Sequence, residues 1–343
     1  RMMHEHYVIV GNGVTANAAA DVLRERDPNA RITMISDEFH LFYHRFRLPA
    51  FLLGEASESS LCVRPVSYYR ERNIRLRLGQ EVVRVELDRN LLYLKHMEKV
   101  GYTRLLLALG GKPHIPEVHY TYRHRFSTFK TLDDARLLRS RLGSIRSIVI
   151  AGGDLVSMRF ATSLAKTGRN VMMMLASEAF WPLDLTETIR EECIRSLTAK
   201  GVDVIDSDRI VGIDSADEQN FEVRTAAGLI LPCQYVGAFF GWRPQVDFLV
   251  RSGLDIDRGI LVDEHLRTNF DSVFAAGDCA QVYNPGIRNY WVSIGWPNAE
   301  RLGRVAGENM AGGALEAGQA PQSALEVEGI QACTSWWREH GSE

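Results

Sequence analysis

Two glycine-bearing turns carry most of the chemistry that can be read from this chain. The first, Gly11-x-Gly13-x-x-Ala16, follows the β-branched run Val8-Ile9-Val10 and opens a helical, Ala-rich stretch from Val14 to Leu23. Such a turn binds anions. Gly11 permits the tight bend, Gly13 lets a diphosphate approach the backbone, and Ala16 lets the helix pack near the strand. Val14, Thr15 and Ala16 then offer backbone N–H groups at the positive end of the helix dipole. Acids follow the next strand at Asp37 and Glu38, and Asp37 is the favoured acceptor for a ribose hydroxyl. The second turn, Gly152-Gly153-Asp154, lies between Ile148-Val149-Ile150-Ala151 and a helical run from Leu155 to Leu164. It departs from the pattern: Asp154 takes the second glycine's place, Ser157 the third's, and Leu175 stands where an acid would meet a ribose. A Cβ and a negative charge at Asp154 both oppose a diphosphate at close range. Two readings stay open for this unit. Either a nucleotide binds weakly or in a shifted pose, with Arg159 or Lys166 compensating, or the unit is scaffold alone.

Other chemistries find little support. Cys62, Cys193, Cys233, Cys279 and Cys333 form no C-x-x-C pair, so neither a zinc site nor a redox dithiol can be read. Dispersed, odd-numbered cysteines fit a reducing, cytoplasmic setting. His4-Glu5-His6 is too short a set of ligands for a metal, and no metal site is expected. A formal charge of −3 argues against nucleic acid as a partner. No apolar run is long enough to span a membrane. A strand expected from Tyr7 leaves no room for a signal peptide.

The elements that must position these turns form an internal repeat. Each helix leads into another strand, Arg31 to Ile35 in the first copy and Asn170 to Leu175 in the second, giving βαβ twice. Asp27-Pro28-Asn29 ends the first helix, and Gly168 ends the second as a cap. Period-two alternation in Glu81 to Leu87 and in Phe221 to Thr225 predicts small antiparallel sheets. After Gly312-Gly313 the chain turns small and polar and reads as a peripheral tail, in which Trp336-Trp337 covers an apolar surface or docks a partner. The fold class expected is α/β, with two Rossmann-like three-layer domains, the second inserted in the first.

At this point the sequence resembles the FAD-dependent pyridine nucleotide–disulfide oxidoreductase superfamily, and most closely its rubredoxin reductase, ferredoxin reductase and nitrite reductase flavoprotein branch. Further segments carry the resemblance in order. Tyr43 to Pro49 is similar to a Y-x-R-x-x-L segment along the flavin, and Tyr102 to Pro113 to the strand and turn that close over FAD. Gly241-Trp242-Arg243-Pro244 resembles the end of a middle domain, and Leu266 to Asp278 the second flavin signature. Trp291 to Ala299 is similar to the start of a helix aimed at the flavin.

The resemblance implies an FAD-binding domain of residues 1–117 and 241–313, an NAD(P)-binding-like domain of residues 118–240, and a tail of residues 314–343 without a full interface domain. It implies FAD contacts at Gly11, Gly13, Val14, Thr15, Ala16, Asp37, Glu38, Arg45, Leu48, Pro49, Val83, Ala108, Gly110, Gly277, Asp278 and Trp296. Asp278 would face the ribityl hydroxyls, and Trp296 either stacks near the flavin ring or is a core residue. NAD(P)H would meet Gly152, Gly153, Leu155 and Val156, although the family's acid on that helix is replaced by Arg159. The family's redox disulfide is absent from Leu48-Pro49-Ala50-Phe51, so electrons must leave the flavin directly and no catalytic side chain is named. The function implied is electron transfer between NAD(P)H and a small carrier or substrate. The alternatives are an electron-transfer subunit of a larger redox complex and a structural or redox-responsive protein. His119 to Arg125, basic and aromatic at the domain crossing, reads as a solvated hinge in preference to a carrier dock.

Overall fold

The structure, a computed structural model, describes residues 4–177, 179–183, 185–286, 288–293, 295–318, 322–335 and 337–339. Ile294 and Trp336, from segments named above, lie outside the described residues.

β1 (His6–Val10) passes through the first glycine turn into α1 (Val14–Arg26) and returns as β2 (Arg31–Ile35). Short helices α2 (Leu48–Leu52), α3 (Glu58–Leu61) and α4 (Val66–Glu71) lead to β3 (Ile74–Arg77). The alternating stretch becomes an antiparallel meander of β4 (Val82–Glu86), β5 (Leu91–Leu94) and β6 (Lys99–Gly101). A register shift between Val82 and Arg84 leaves Val83 40% exposed. β7 (Arg104–Leu107) and β8 (Gly111–Pro113) close this part.

The second repeat follows α5 (Leu132–Arg141), whose Thr131 and Asp134 form a capping box. β9 (Ser147–Gly152), α6 (Leu155–Ala165), β10 (Asn170–Leu175), α7 (Glu187–Ala199) and β11 (Val202–Ile205) alternate. β12 (Ile210–Ser215), β13 (Phe221–Thr225) and β14 (Ile230–Cys233) form a small antiparallel sheet, and β15 (Tyr235–Ala238) rejoins β9 in parallel. The parallel sheet runs β11-β10-β9-β15, almost continuously apolar because both faces are covered.

The chain then returns to the first unit. β16 (Trp242–Pro244) pairs with β8, and β17 (Ile260–Val262) precedes β18 (Val273–Ala275), which joins β7. The first sheet therefore reads β18-β7-β1-β2-β3, completed by a strand from beyond the second unit. That makes the second Rossmann-like unit an insertion in the first. β19 (Ala280–Asn284) and β20 (Asn289–Ser293) lead to α8 (Trp296–Met310). α8 lies on α1 at backbone distance: a Cβ at Gly303 would stand 2.3 Å from the Thr15 carbonyl oxygen. Glycine lets these helices meet, and the Thr15 hydroxyl donates to Ala299 O at 2.9 Å.

The peripheral tail expected after Gly313 is corrected by the structure. β21 (Gln322–Val327) and β22 (Ile330–Ser335) form a hairpin against α7, and β23 (Trp337–Glu339) adds an edge to β20. Val327 and Ala332 are buried in one cluster with Cys193 and Leu197. Ser196 Oγ donates to Glu328 O at 2.6 Å, and Lys200 pairs with the Glu328 carboxylate at 2.7 Å. The hairpin was hidden because the surface that buries Val327 and Ala332 is supplied by α7, far away in the sequence.

Candidate functional site

The first turn is open. Gly11 has φ 132°, and a Cβ there would lie 2.2 Å from the Ala108 carbonyl oxygen, so only glycine lets β1 and the chain after β7 converge. At Gly13 a Cβ would meet nothing within 4 Å, and no side chain caps α1. The first-turn N–H groups of Val14, Thr15 and Ala16 thus lie uncapped at the carboxyl ends of the strands, where a diphosphate binds in such sheets. Thr15 contributes backbone only, since its hydroxyl holds α8.

Around this turn the structure gathers charged groups from distant segments. Gly110 and Gly277 both have positive φ, and a Cβ at Gly277 would approach Thr15 Oγ1 to 2.6 Å. The neighbouring Asp278 has a buried Oδ1 with no hydrogen-bond partner. Burial pushes its carboxyl up to about 6, with Lys130 pulling the other way. Burial in turn brings the Lys130 ammonium down to about 8, helped by the nearby Arg45 and opposed by Asp278. Glu38 is already engaged: it pairs with Arg45 at 2.6 Å and accepts from the Tyr43 hydroxyl at 2.8 Å. That hydroxyl also accepts from Leu132 N at 3.0 Å, which ties the segment to α5. Asp37 is exposed beside Glu38.

Lys130 escaped the sequence reading. It precedes the Thr131 cap of α5 and belongs to no motif, so only the topology brings it to Asp278 and Arg45.

An adenine dinucleotide with a ribityl chain fits these residues. The orphaned Asp278 oxygen needs a donor, which a ribityl hydroxyl supplies, and the uncapped α1 needs acceptors, which a diphosphate supplies. Leu48 and Pro49 are buried, Leu48 in one core cluster with Phe129 and Phe160 of the inserted unit. Trp296 is not in the core; it stacks on Phe42 at 5.7 Å with an interplanar angle of 12°, with exposed Phe46 edge-on. Val83 is exposed at its bulge.

The second turn is shut. Asp154 is 2% exposed; one carboxylate oxygen accepts from Ser157 N and the other from Gly241 N, each at 3.0 Å. Leu155 N donates to Trp181 O at 2.8 Å, and Phe180 N to Gly153 O at 2.7 Å. Burial pushes the Asp154 carboxyl up to about 6 even though backbone N–H groups oppose it. A Cβ at Gly153 would press on Leu175 at 2.7 Å. The N–H groups that would meet a diphosphate are therefore taken by this chain's own carbonyl and carboxylate, and the residues present at this turn do not fit one. Lys166 cannot compensate, because it caps the far end of α6; Arg159 is exposed on the same helix.

Cys193, Cys233 and Cys279 are buried and Cys62 is exposed; burial pushes the Cys279 thiol up to about 12, far from a nucleophile's range. Among the described residues no group of three or more His, Cys, Asp or Glu could hold a metal, and no helix is long and apolar enough to cross a membrane.

Two βαβ units, one inserted in the other, with an open phosphate turn and an unpaired carboxylate at its rim, define a flavoprotein-type oxidoreductase fold. Residues 5–300 match the family model for pyridine nucleotide-disulphide oxidoreductases, and the chain belongs to that family. It is 29% identical over 288 residues to rhodocoxin reductase of Rhodococcus erythropolis, covering 81% of this chain and 66% of that protein. It is 27% identical over 310 residues to the epsilon subunit of an NADH-dependent phenylglyoxylate dehydrogenase of Aromatoleum evansii, covering 90% and 73%. A crystal structure of a ferredoxin reductase from Rhodopseudomonas palustris matches 94% of this chain and 80% of that one, with TM-score 0.85 and 25% identity. The chain thus spans about two-thirds to four-fifths of the length of these three proteins.

Proposed function

We propose that this chain is an FAD-dependent oxidoreductase that moves electrons between NAD(P)H and a small redox carrier, without a redox disulfide, in the cytoplasm. The observation that carries the flavin is the buried, unpartnered Asp278 oxygen at the rim of an uncapped α1. FAD, when bound, supplies the electron transfer itself. This chain's residues hold and tune it. The Val14 to Ala16 N–H groups meet the diphosphate, Asp37 the adenine ribose, and Asp278 the ribityl hydroxyls, while Arg45 and Lys130 balance the negative charge. The first turn of α8, starting at Trp296, would offer its positive dipole end to the ring system. The printed names of its relatives, a rhodocoxin reductase and a ferredoxin reductase, support a small carrier as the partner.

The shut turn at Asp154 favours a second reading, an electron-transfer subunit of a larger redox complex, and one relative is named as the electron transfer subunit of an assimilatory nitrate reductase. Anaerobic titration with NADH and with NADPH separates the two. Flavin bleaching by either nucleotide alone supports the first reading, and no bleaching until a partner protein is added supports the second.

A further inference from the structure

A cleft of about 470 Å³ opens along the first sheet. Its walls include His6 and Arg31, the first residues of β1 and β2, and Arg75 and Arg77 of β3, which stand opposite Thr33 and Ile35. None of the residues of the two glycine turns lines it. The cleft belongs to neither nucleotide turn.

Its charge is opposite to that of the chain. Arg31, Arg75, Arg77 and Lys99 line it against one carboxylate, Glu98, in a protein whose formal net charge is −3. Arg31, Arg75 and Lys99 are exposed, and none forms an ion pair among the described residues. Arg77 is different: its fork binds both Glu98 oxygens, at 2.9 and 2.5 Å. A two-oxygen anion on a guanidinium fork is the geometry in which arginine takes phosphate. Here the protein's own carboxylate fills it, with Arg77 mostly buried and Glu98 half exposed.

A buried hydroxyl here has no partner, while His6 Nε2 already meets Thr33 Oγ1 at 2.9 Å. Tyr102, 6% exposed, also lines the cleft, and its hydroxyl oxygen is buried without a hydrogen-bond partner. His6 is held below its ordinary value by burial and then by the charges of Arg31 and Arg75. Uncompensated like charges crowded into one concavity repel one another, and an anion relieves that repulsion.

We propose that this cleft is a binding site for a small polyanion carrying two or more phosphate groups. The volume lies in the range of small-molecule sites, and the cations converge on a cavity instead of running as the stripe that nucleic acid requires.

Calorimetric titration of the flavin-loaded protein with tripolyphosphate, and separately with ADP, tests the proposal. Saturable one-to-one binding of tripolyphosphate that weakens at higher salt is expected. The double variant Arg31→Ala/Arg75→Ala should lose at least tenfold in affinity, and Glu98→Gln should gain. ADP binding more tightly than tripolyphosphate, with the same dependence on Arg31 and Arg75, would make the ligand a nucleotide. Equal affinity would make it a free polyphosphate. The His6 imidazole, followed by NMR, should titrate at higher pH with tripolyphosphate bound. Both arginines are exposed and lie outside the flavin turn, so an unchanged flavin spectrum shows that the double variant has folded. No saturable binding, or binding untouched by the double variant, overturns the proposal.

Discussion

The Asp154 carboxylate crosses from the inserted unit to the returning chain, accepting from Gly241 N at 3.0 Å while its other oxygen caps α6. One side chain thus closes a phosphate turn and pins the second domain crossing. The same βαβ plan appears twice in this molecule, open where Gly13 leaves α1 uncapped and shut where Asp154 takes that place.

Replacing Asp154 with Gly should reopen the turn. Affinity for NADH or NADPH should rise about tenfold, equivalent to about 1.4 kcal/mol. Stability should fall by about 1–3 kcal/mol, because a helix cap is lost and the Gly241 N–H is left without an acceptor. Anaerobic nucleotide titration and a urea melt read the two effects. Unchanged nucleotide affinity would contradict the closed-turn account.

A pH dependence follows from the same residue. Its folded pKa is raised from 3.8 to about 6, so the native protein takes up this proton before the unfolded chain does. The charged form is therefore a liability above about pH 6, relieved as pH falls toward 4. Relative to Asp154→Asn, the wild type should lose up to ~3 kcal/mol of unfolding free energy as pH rises through that window. Urea melts of both proteins at several pH values measure the slope; parallel curves would exclude it.

Gly11→Ala should be severe. The added methyl would stand 2.2 Å from the Ala108 carbonyl, in backbone that L-residues avoid. A cost of several kcal/mol is expected, together with loss of flavin retention. Gly13→Ala, which meets no protein atom, should fold normally and lose flavin affinity alone.

Lys130 is expected to matter for flavin retention as much as Asp278 does. Asp278→Ala and Lys130→Met should each lower the flavin-to-protein ratio after gel filtration by several-fold while far-UV circular dichroism stays unchanged. The Lys130 result separates a charge-balancing role from that of a bystander at the end of a loop.

Much of this was legible in the sequence because it rests on local rules. Val8 to Leu23 and Ile148 to Leu164 announce strand, turn and helix through β-branching, glycine placement and helical spacing, and both units form there. The aberrant Asp154 was equally visible, but not the partners of its turn: Gly241 N reaches the Asp154 carboxylate, and Trp181 O the Leu155 N–H, only through the tertiary fold. Lys130 carries no motif. Leu48, expected beside a flavin, is buried in a core cluster shared with the inserted unit, which its place in the sequence does not announce. The hairpin at residues 322–335 was hidden because the surface that buries Val327 and Ala332 is supplied by α7, far away in the sequence.

Whether the groups at the start of α1 and Asp278 hold FAD is read from the visible absorption spectrum of the purified protein. A yellow protein whose flavin stays bound through gel filtration in near-equimolar amount, or which takes up FAD to that amount when offered it, is the expected result. Protein that is colourless and remains so after incubation with FAD would contradict it.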